Sequence, residues 1–495
     1  MGVKSLNNKI IFGLKVRQLR LDQGLSFAEL AKTSGVSVSY LNEIEKGKKF
    51  PKPNKIEGLS KALSVTAESL TSNDLPHALA PIEDLLQSNF LNELPLELFG
   101  IDLIKVVEII ANAPIRVGAF ISTLVEISRN YALREDHFYF AALRSYQELH
   151  YNYFEDIEQA VLDFSKENGL DENQAVSISA VEHILKKKYK YNIVEDGLKQ
   201  YPEFNNMRSV FIPKKKQLLL NGAINSAQLQ FQYGKELGFN YLGLKDRSLT
   251  SSLIQVKSFD MVLTHARAAY FSVALFMNKA TFIDGLSNFF NRKKWNGQAF
   301  MELMNKYNAA PEMFFQRLTN VIPHHFGIKG LFLLRILHDP KKDNFEIDKE
   351  LHMQRKHHPH SNGLQEHYCR RWMSVSLLQD LNKMQADGKH TGTIVGAQRS
   401  RYFGTEDEYL CITLARSANP HSKYNVSVTL GMIIDDDLRS KIKFVDDSAI
   451  NLKIVNTTCQ RCAVKDCKER MVAPIVLERI QRRKAMTGRL KEFRG

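Results

Sequence analysis

Three cysteines lie within nine positions of the sequence, in the stretch TTCQRCAVKDCKER at residues 457–470. Cys459, Cys462 and Cys467 would offer three thiolates, whereas structural zinc and cubane iron–sulfur sites generally take four protein ligands. A fourth thiol would come from Cys369 or Cys411. Cys411 lies in an apolar alternation typical of a buried strand, where a free cysteine packs as a small hydrophobic side chain. The spacing therefore predicts a metal or iron–sulfur site, and three unrelated reduced thiols are the alternative.

A second stretch, FQYGKELGFNYLG at residues 231–243, has the spacing of a zinc-peptidase helix but not its ligands. Such helices carry His-Glu-x-x-His, in which two histidines hold zinc and the glutamate polarises the bound water. Here Lys235 and Phe239 occupy the two histidine positions, and neither side chain can hold zinc. Downstream, THARAAYFSVALFMNKATF resembles the third-ligand helix of the ImmA/IrrE peptidases, with His265 in place of the acidic ligand. We therefore expect no peptidase activity, and no enzyme.

The first seventy residues contain closely spaced signals for helix starts and stops. Ser26 and Glu29 stand in capping-box register, Gly35 interrupts the pattern, Ser37 restarts it as an N-cap and Gly47 ends it. This predicts a helix-turn-helix, whose second helix enters the DNA major groove. The outward side chains expected at the DNA are Val38, Ser39, Tyr40 and Asn42, the last three at bases, with Arg17, Lys46 and Lys48 at phosphates.

Sequence features within and beyond this segment resemble known families. The Gly-Val turn, EKGKKFPKP after the second helix and the closing IEGLSKALSV resemble the lambda-repressor-like (XRE) family, from which Phe27 departs where many members have glutamine. Together with the degenerate peptidase-like stretch containing YFSVALFM, the stretch APEMFFQRLTNV and the final cysteines, the chain resembles the RamB/PrpR group of short-chain fatty acyl transcription regulators.

That resemblance implies a regulator that senses an acyl-CoA in a former peptidase cleft. It also implies a [4Fe-4S] cluster, with zinc as the alternative, and favours Cys369 as fourth ligand because Cys369-Arg370-Arg371-Trp372 keeps the Cys-x-x-Trp spacing of the group. Basic side chains would bind the phosphates, and apolar ones the acyl and pantetheine parts. The expected ligand residues are Arg267, Tyr270, Phe271, Phe276, Lys279, Phe282 and Arg317. Symmetric half-sites would make the regulator a homodimer.

Composition and charge agree with a DNA-binding protein. The net charge of +14 is concentrated at the two ends, with 12 Lys/Arg against 7 Asp/Glu in residues 1–75 and 12 against 4 in residues 453–495. The sequence has no run of 18 apolar residues and its start lacks an apolar signal-peptide region, so a cytoplasmic protein is expected.

The expected fold is mainly α with a smaller α+β part. Four regions are predicted: a helix-turn-helix domain at 8–72, a helical linker or dimerisation region at 81–200, a degenerate peptidase-like ligand-sensing domain at 201–345 and a Cys-rich region with a basic tail at 346–495. The alternative function is a phage- or antitoxin-like repressor that responds to a protein partner and carries a structural zinc.

Overall fold

A computed structural model describes residues 3–72, 135–171, 174–254, 256–353, 366–388, 392–420 and 423–493. Residues 81–134 of the predicted helical linker lie outside these ranges. Contacts divide the chain into two units, the first comprising Met1–Ala142 and Lys257–Asp260 and the second Leu143–Val256 and Met261–Gly495. Within the described ranges, no helix combines the length and the apolar character needed to cross a membrane.

The N-terminal unit begins with five helices, and their ends confirm the predicted signals. Ser26 and Glu29 form the capping box, Gly35 adopts φ +65° at the end of the second helix and Ser37 caps the third. The core contains Phe12, Val16, Leu30, Val36, Leu41, Ile44 and Leu59. The helices are α1 Val3–Asp22, α2 Phe27–Ser34, α3 Val38–Glu45, α4 Pro53–Ala62 and α5 Ala67–Thr71.

A helical layer and a small sheet follow. The strands β2 Ser209–Ile212 and β3 Gln217–Leu220 form an antiparallel hairpin, and β1 Asn192–Val194 pairs parallel with β3. The helices are α6 Glu135–Leu149, α7 Glu155–Glu167, α8 Ile178–Lys187, α9 Ser226–Tyr241, α10 Phe259–Phe276, α11 Lys279–Phe290, α12 Gly297–Asn305 and α13 Pro311–His325.

Two glycines of α9 allow α10 to approach closely. A Cβ at Gly234 would lie 2.4 Å from Ser272 Oγ, and one at Gly238 would lie 3.0 Å from the Ala268 carbonyl oxygen. Any larger residue would separate the two helices. This close packing places Lys235 of α9 against His265 of α10.

A six-stranded sheet forms the centre of the C-terminal half. Its order is β5-β4-β8-β7-β6-β9, antiparallel except that β9 runs parallel to β6. Because β5 includes residues 345 and 346, the expected boundary between the sensor and Cys-rich regions falls inside this sheet. The strands are β4 Leu331–Asp339, β5 Asn344–His352, β6 Ile394–Tyr402, β7 Glu408–Ser417, β8 Asn425–Ile433 and β9 Leu452–Val455; the helices are α14 Met373–Ala386, α15 Asp436–Lys441 and α16 Ile475–Glu492.

Alternate strand residues bury opposite faces of this sheet. Leu331 and Leu333 belong to the core that includes Phe282 and Phe314 of the helical layer. Phe332 and Leu334 instead belong to the core that contains Trp372 and α14. The described structure is thus rich in helix, with a helix-turn-helix domain followed by an α+β sheet region, and it confirms the predicted fold class.

Candidate DNA-binding surface, cysteine site and basic cluster

The third helix presents an exposed face. Leu41 and Ile44 are fully buried, which fixes the rotation of α3 about its axis. That rotation leaves Val38 47% exposed, Ser39 and Asn42 exposed and Tyr40 half-buried. The predicted base-contacting side chains therefore share the accessible part of one short helix, as major-groove recognition requires.

Cations surround the end of α3. Lys46 is half-buried at the C-cap, Lys48 is exposed, and Arg17 is half-buried on α1. The sequence interpretation did not select Lys49 and Lys52, which are also exposed on the connection to α4. Their position in the same Lys-rich stretch was the available signal.

A buried ion pair ties α1 to α3. Arg20 donates from Nε and Nη2 to the two carboxylate oxygens of Glu45 at 2.7 and 2.9 Å, and from Nη1 to the Leu25 carbonyl at 2.9 Å. Hydrogen bonding to Glu45 raises the pKa of Arg20. The Arg20 guanidinium also lies 4.1 Å from the ring centroid of Phe27. Phe27 thus packs on this ion pair.

Strand-like pairing brings Cys369 to the C-terminal cysteines. The Cys369 amide donates to the Thr457 carbonyl at 3.2 Å, and the Cys459 amide donates to the His367 carbonyl at 2.8 Å. The Trp372 indole N–H donates to the Asn456 carbonyl at 2.8 Å. These bonds join two segments about ninety residues apart in sequence.

The four thiols Cys369, Cys459, Cys462 and Cys467 line one cavity. Burial, with a smaller contribution from the nearby Cys462 and Cys459, raises the pKa of the Cys369 thiol to about 11. Arg470 donates to the carbonyls of Cys459 and Cys462, both at 3.2 Å, and so holds the loop around the cavity.

Arg461, between Cys459 and Cys462 in the sequence, has a partner of its own, and Cys411 lies elsewhere. Arg461 forms a bidentate pair with Glu366 at 2.8 and 2.7 Å. Cys411 is buried on β7 and lines a different cavity, next to Tyr402 and Ser400. In the described ranges, no group of three or more His, Cys, Asp or Glu side chains is positioned to hold a metal ion. The four thiols therefore share a cavity without forming a closed coordination shell.

The predicted ligand-binding aromatics lie in the core. Phe271 and Phe282 have no exposed surface, and Phe276 is 2% exposed. Tyr270 is also buried, and its hydroxyl donates to Glu158 at 2.7 Å. A ligand could reach these rings only after the core had opened, and their role in binding stays a prediction.

The three predicted ligand-binding cations differ in accessibility. Arg317 has no exposed surface and pairs with Glu158 through both carboxylate oxygens. The side chains of Arg267 and Lys279 remain 26% and 25% exposed beside acidic partners on α7. Arg317 is therefore a structural ion-pair residue as placed, whereas the other two still offer accessible positive charge.

A second group of charges, which sequence analysis did not select, lies where the hairpin, α13 and the large sheet approach one another. We name it the basic cluster. Arg416 binds Glu312 bidentately at 3.1 and 3.0 Å, and Arg335 pairs with both Glu312 and Asp348. The cluster comprises four cations and two carboxylates: Arg208, Arg335, Lys349, Arg416, Glu312 and Asp348.

The side chains of the basic cluster are surrounded by other protein groups, but several of them keep part of their surface exposed to solvent. Burial would raise the pKa of Glu312, but Arg416, Arg335 and Arg208 lower it to about 2. Burial also lowers the pKa of Lys349, and neighbouring Arg335 lowers it further. Lys349 nevertheless keeps an exposed surface, and the Glu312 and Arg335 side chains are 20% and 22% exposed. Four cations against two carboxylates leave an excess of two positive charges available to an anion.

Lys235 and His265 occupy positions at which the peptidase-like spacing would require zinc ligands. The two side chains are buried, with Lys235 Nζ 3.0 Å from His265 Nδ1. Phe239 packs its ring 5.2 Å from the imidazole. Glu236, which would polarise water in a peptidase, is bound bidentately by Arg247 at 2.8 and 2.7 Å. The positions of the His-Glu-x-x-His spacing thus hold a lysine, an arginine-paired glutamate and a phenyl ring, and this set offers no zinc site.

Comparison with known proteins supports the assignment of the first unit. A family described as a helix-turn-helix domain matches residues 11–71. These residues form an XRE-like helix-turn-helix domain, a kind of domain that binds DNA. No curated protein matches the chain. Among solved structures, it is similar to a Mycobacterium tuberculosis transcriptional regulator at 16% identity and a TM-score of 0.45, over 67% of this chain and 93% of that one.

Proposed function

We propose that this protein is a transcription regulator that binds operator DNA as a homodimer and changes its DNA affinity when a short-chain acyl-CoA binds. The exposed face of α3, carried by a helix-turn-helix with the predicted caps, is the observation on which the proposal rests. Two such domains would contact half-sites about 34 Å apart, one turn of the duplex. The replaced zinc ligands support a sensor in place of a hydrolase.

Base readout through α3 can be tested with matched asparagine variants. Operator fragments would first be selected from genomic DNA with the full-length protein. Asn42→Ala should then weaken operator binding by about 1–3 kcal/mol, since an asparagine can bond bidentately to adenine. Asn54→Ala, at an exposed asparagine at the start of α4, is the control and should bind like the wild type. Equal operator affinity in both variants would contradict readout by Asn42.

The basic cluster is our candidate for binding the anionic part of the effector. Its excess of positive charge is accessible, and charge-assisted hydrogen bonds to phosphate are among the stronger polar contacts. Lys349 is exposed, whereas the three arginines of the cluster are half-buried, so removal of Lys349 disturbs the fold least. Arg267 and Lys279 could bind other phosphates of the same ligand.

Calorimetry with acetyl-CoA and propionyl-CoA tests this site. Lys349→Gln should weaken thioester binding about tenfold, the effect of losing one charged contact of about 1.4 kcal/mol. Lys341→Gln, in the exposed β4–β5 turn, removes the same charge away from the cluster. Intact operator binding without heat from either thioester would refute acyl-CoA control and favour a repressor that responds to a protein partner.

The shared cavity makes Cys369, Cys459, Cys462 and Cys467 the residues that would hold a metal centre. Their donor set fits a [4Fe-4S] cluster, with Zn²⁺ as the alternative, and either group would neutralise thiolates and crosslink residues 366–372 to 456–470. Binding must draw the sulfurs into a closed shell. Anaerobic preparation followed by iron, sulfide and zinc analysis decides between the two. Iron with equimolar sulfide supports the cluster, and zinc without sulfide refutes it.

A further inference from the structure

The hydrogen bonds of His265 determine which of its nitrogens carries a proton. The backbone N–H of Ser248 lies 3.1 Å from His265 Nε2 and can only donate. Nε2 is therefore the unprotonated nitrogen. Burial is the main cause that lowers the pKa of His265, and the charge of Arg247 acts in the same direction, so the ring is neutral. A neutral imidazole with a bare Nε2 carries its proton on Nδ1.

The proton on His265 Nδ1 determines the protonation state of Lys235. Its Nζ lies 3.0 Å from His265 Nδ1, which already carries a proton, so the lysine must accept this hydrogen bond. An ammonium has three N–H groups and no lone pair, and cannot accept. Lys235 therefore carries a neutral amine, which also donates to the Ser251 carbonyl at 3.1 Å. Burial independently lowers the pKa of Lys235 to about 7.

The charges around this amine connect it to the basic cluster. Glu236, on its own helix, raises the pKa of Lys235, but that carboxylate is committed to Arg247 and Tyr191. Arg247, in the loop after α9, lowers the pKa of Lys235. Two members of the basic cluster, Arg208 and Lys349, also lower it. An anion bound at the cluster would offset these positive charges and favour the ammonium form.

Protonation of Lys235 would reverse the hydrogen bond between Lys235 and His265 Nδ1 and break the one between Ser248 N–H and His265 Nε2. The new ammonium must donate to Nδ1, so the imidazole proton has to move to Nε2. Nε2–H then faces the Ser248 N–H, and two donors cannot bond. One proton is taken up from solvent, and the only bond lost is Ser248 N–H···Nε2. The rest of the loop stays paired with the hairpin through Ser251 N–H and the Ser209 carbonyl, at 2.9 Å.

We propose that Lys235 and His265 form a proton-coupled relay, in which an anionic ligand at the basic cluster causes Lys235 to take up a proton from solvent, switches the His265 tautomer and frees the Ser248 N–H. This inference rests on the proposed function for the identity of the ligand, acyl-CoA. The replacement of the zinc ligands thus has a role of its own, because it converts ligand charge into the release of a loop anchor.

Two measurements on the full-length protein test the relay. In the first, propionyl-CoA is titrated at pH 8 in buffers of different ionisation enthalpy, which gives the number of protons taken up. Wild type should take up close to one proton per ligand, and Lys235→Met should take up markedly less while still binding. Binding of the thioester by the wild type without proton uptake would overturn the coupling and leave the proposed function standing.

The second measurement needs no ligand. Amide hydrogen exchange at Ser248, corrected for the intrinsic pH dependence, should show protection at pH 8.5 that falls several-fold by pH 6 in the wild type. In Lys235→Met the corrected protection should not change over this range. Equal pH dependence in both proteins would overturn the relay even if no thioester bound.

Discussion

Replacing Lys235 by methionine should stabilise the second unit at neutral pH and lose that advantage as the pH rises. The folded protein holds the pKa of Lys235 near 7, whereas the unfolded chain has the ordinary value near 10.5. Between these values the unfolded state binds one more proton, so wild-type stability increases with pH by about 1.4 kcal/mol per pH unit. Below pH 7 the free-energy cost of the lowered Lys235 pKa is fully present. Methionine removes it at a similar side-chain volume.

The difference in unfolding free energy between Lys235→Met and wild type should therefore shrink by about 2.5 kcal/mol from pH 7.5 to pH 9.5, the linkage integral for these two pKa values. Urea denaturation followed by tryptophan fluorescence isolates this unit, since both tryptophans of the chain, Trp295 and Trp372, lie in it. Lys245→Met, at an exposed lysine in the loop after α9, is the control. A difference that is constant with pH would refute the buried neutral amine.

Three further predictions concern the cysteine site and the DNA-binding domain. Cys369→Ser should lose the metal or cluster measured by iron, zinc and sulfide analysis, whereas Cys411→Ser should keep it; the opposite result would show that the fourth ligand lies on β7. Arg20→Ala should destabilise the helix-turn-helix by about 3–5 kcal/mol, because it leaves the Glu45 carboxylate buried without its cation. Hydrogen exchange in α3 measures this, and unchanged protection would contradict it. Lys48→Ala should reduce the slope of log binding constant against log salt by about 0.9, as expected for one lost phosphate contact; an unchanged slope would remove Lys48 from the DNA interface.

The DNA-binding domain could be predicted because its determinants are local. Ser26 and Glu29 lie three residues apart, and Gly35 follows six residues after Glu29. The capping and chain-reversal preferences of these residues therefore act over one or two helical turns. The same holds for the hairpin at 208–221 and for the buried strand around Cys411. In each of these segments, short-range spacing alone determines the element.

The basic cluster could not be predicted in this way. Arg208, Arg335, Lys349 and Arg416 come from separate strands and connections, and no spacing in the sequence relates them. Their proximity follows from the register of the large sheet and its packing on the helical layer. Conversely, the aromatic side chains of α10 and α11 were of a suitable type for a ligand, but hydrophobic burial placed them in the core.

Cys369 represents an intermediate case. Its thiol was one of two candidates in the sequence, and a family resemblance favoured it. Its position close to Cys459 depends on backbone hydrogen bonds between residues 367–369 and 457–459, which only the folded chain reveals. Residue type therefore identified the candidates, and strand pairing identified their neighbours.

In the proposed function, an acyl-CoA changes the affinity of the intact helix-turn-helix protein for its operator. Fluorescence anisotropy of a selected operator fragment, titrated with full-length protein with and without saturating propionyl-CoA at fixed salt, tests it directly. We expect tight operator binding whose affinity shifts at least fivefold with the thioester, a coupling of about 1 kcal/mol or more. Identical isotherms with and without the thioester, or no operator selected at low salt, would contradict it.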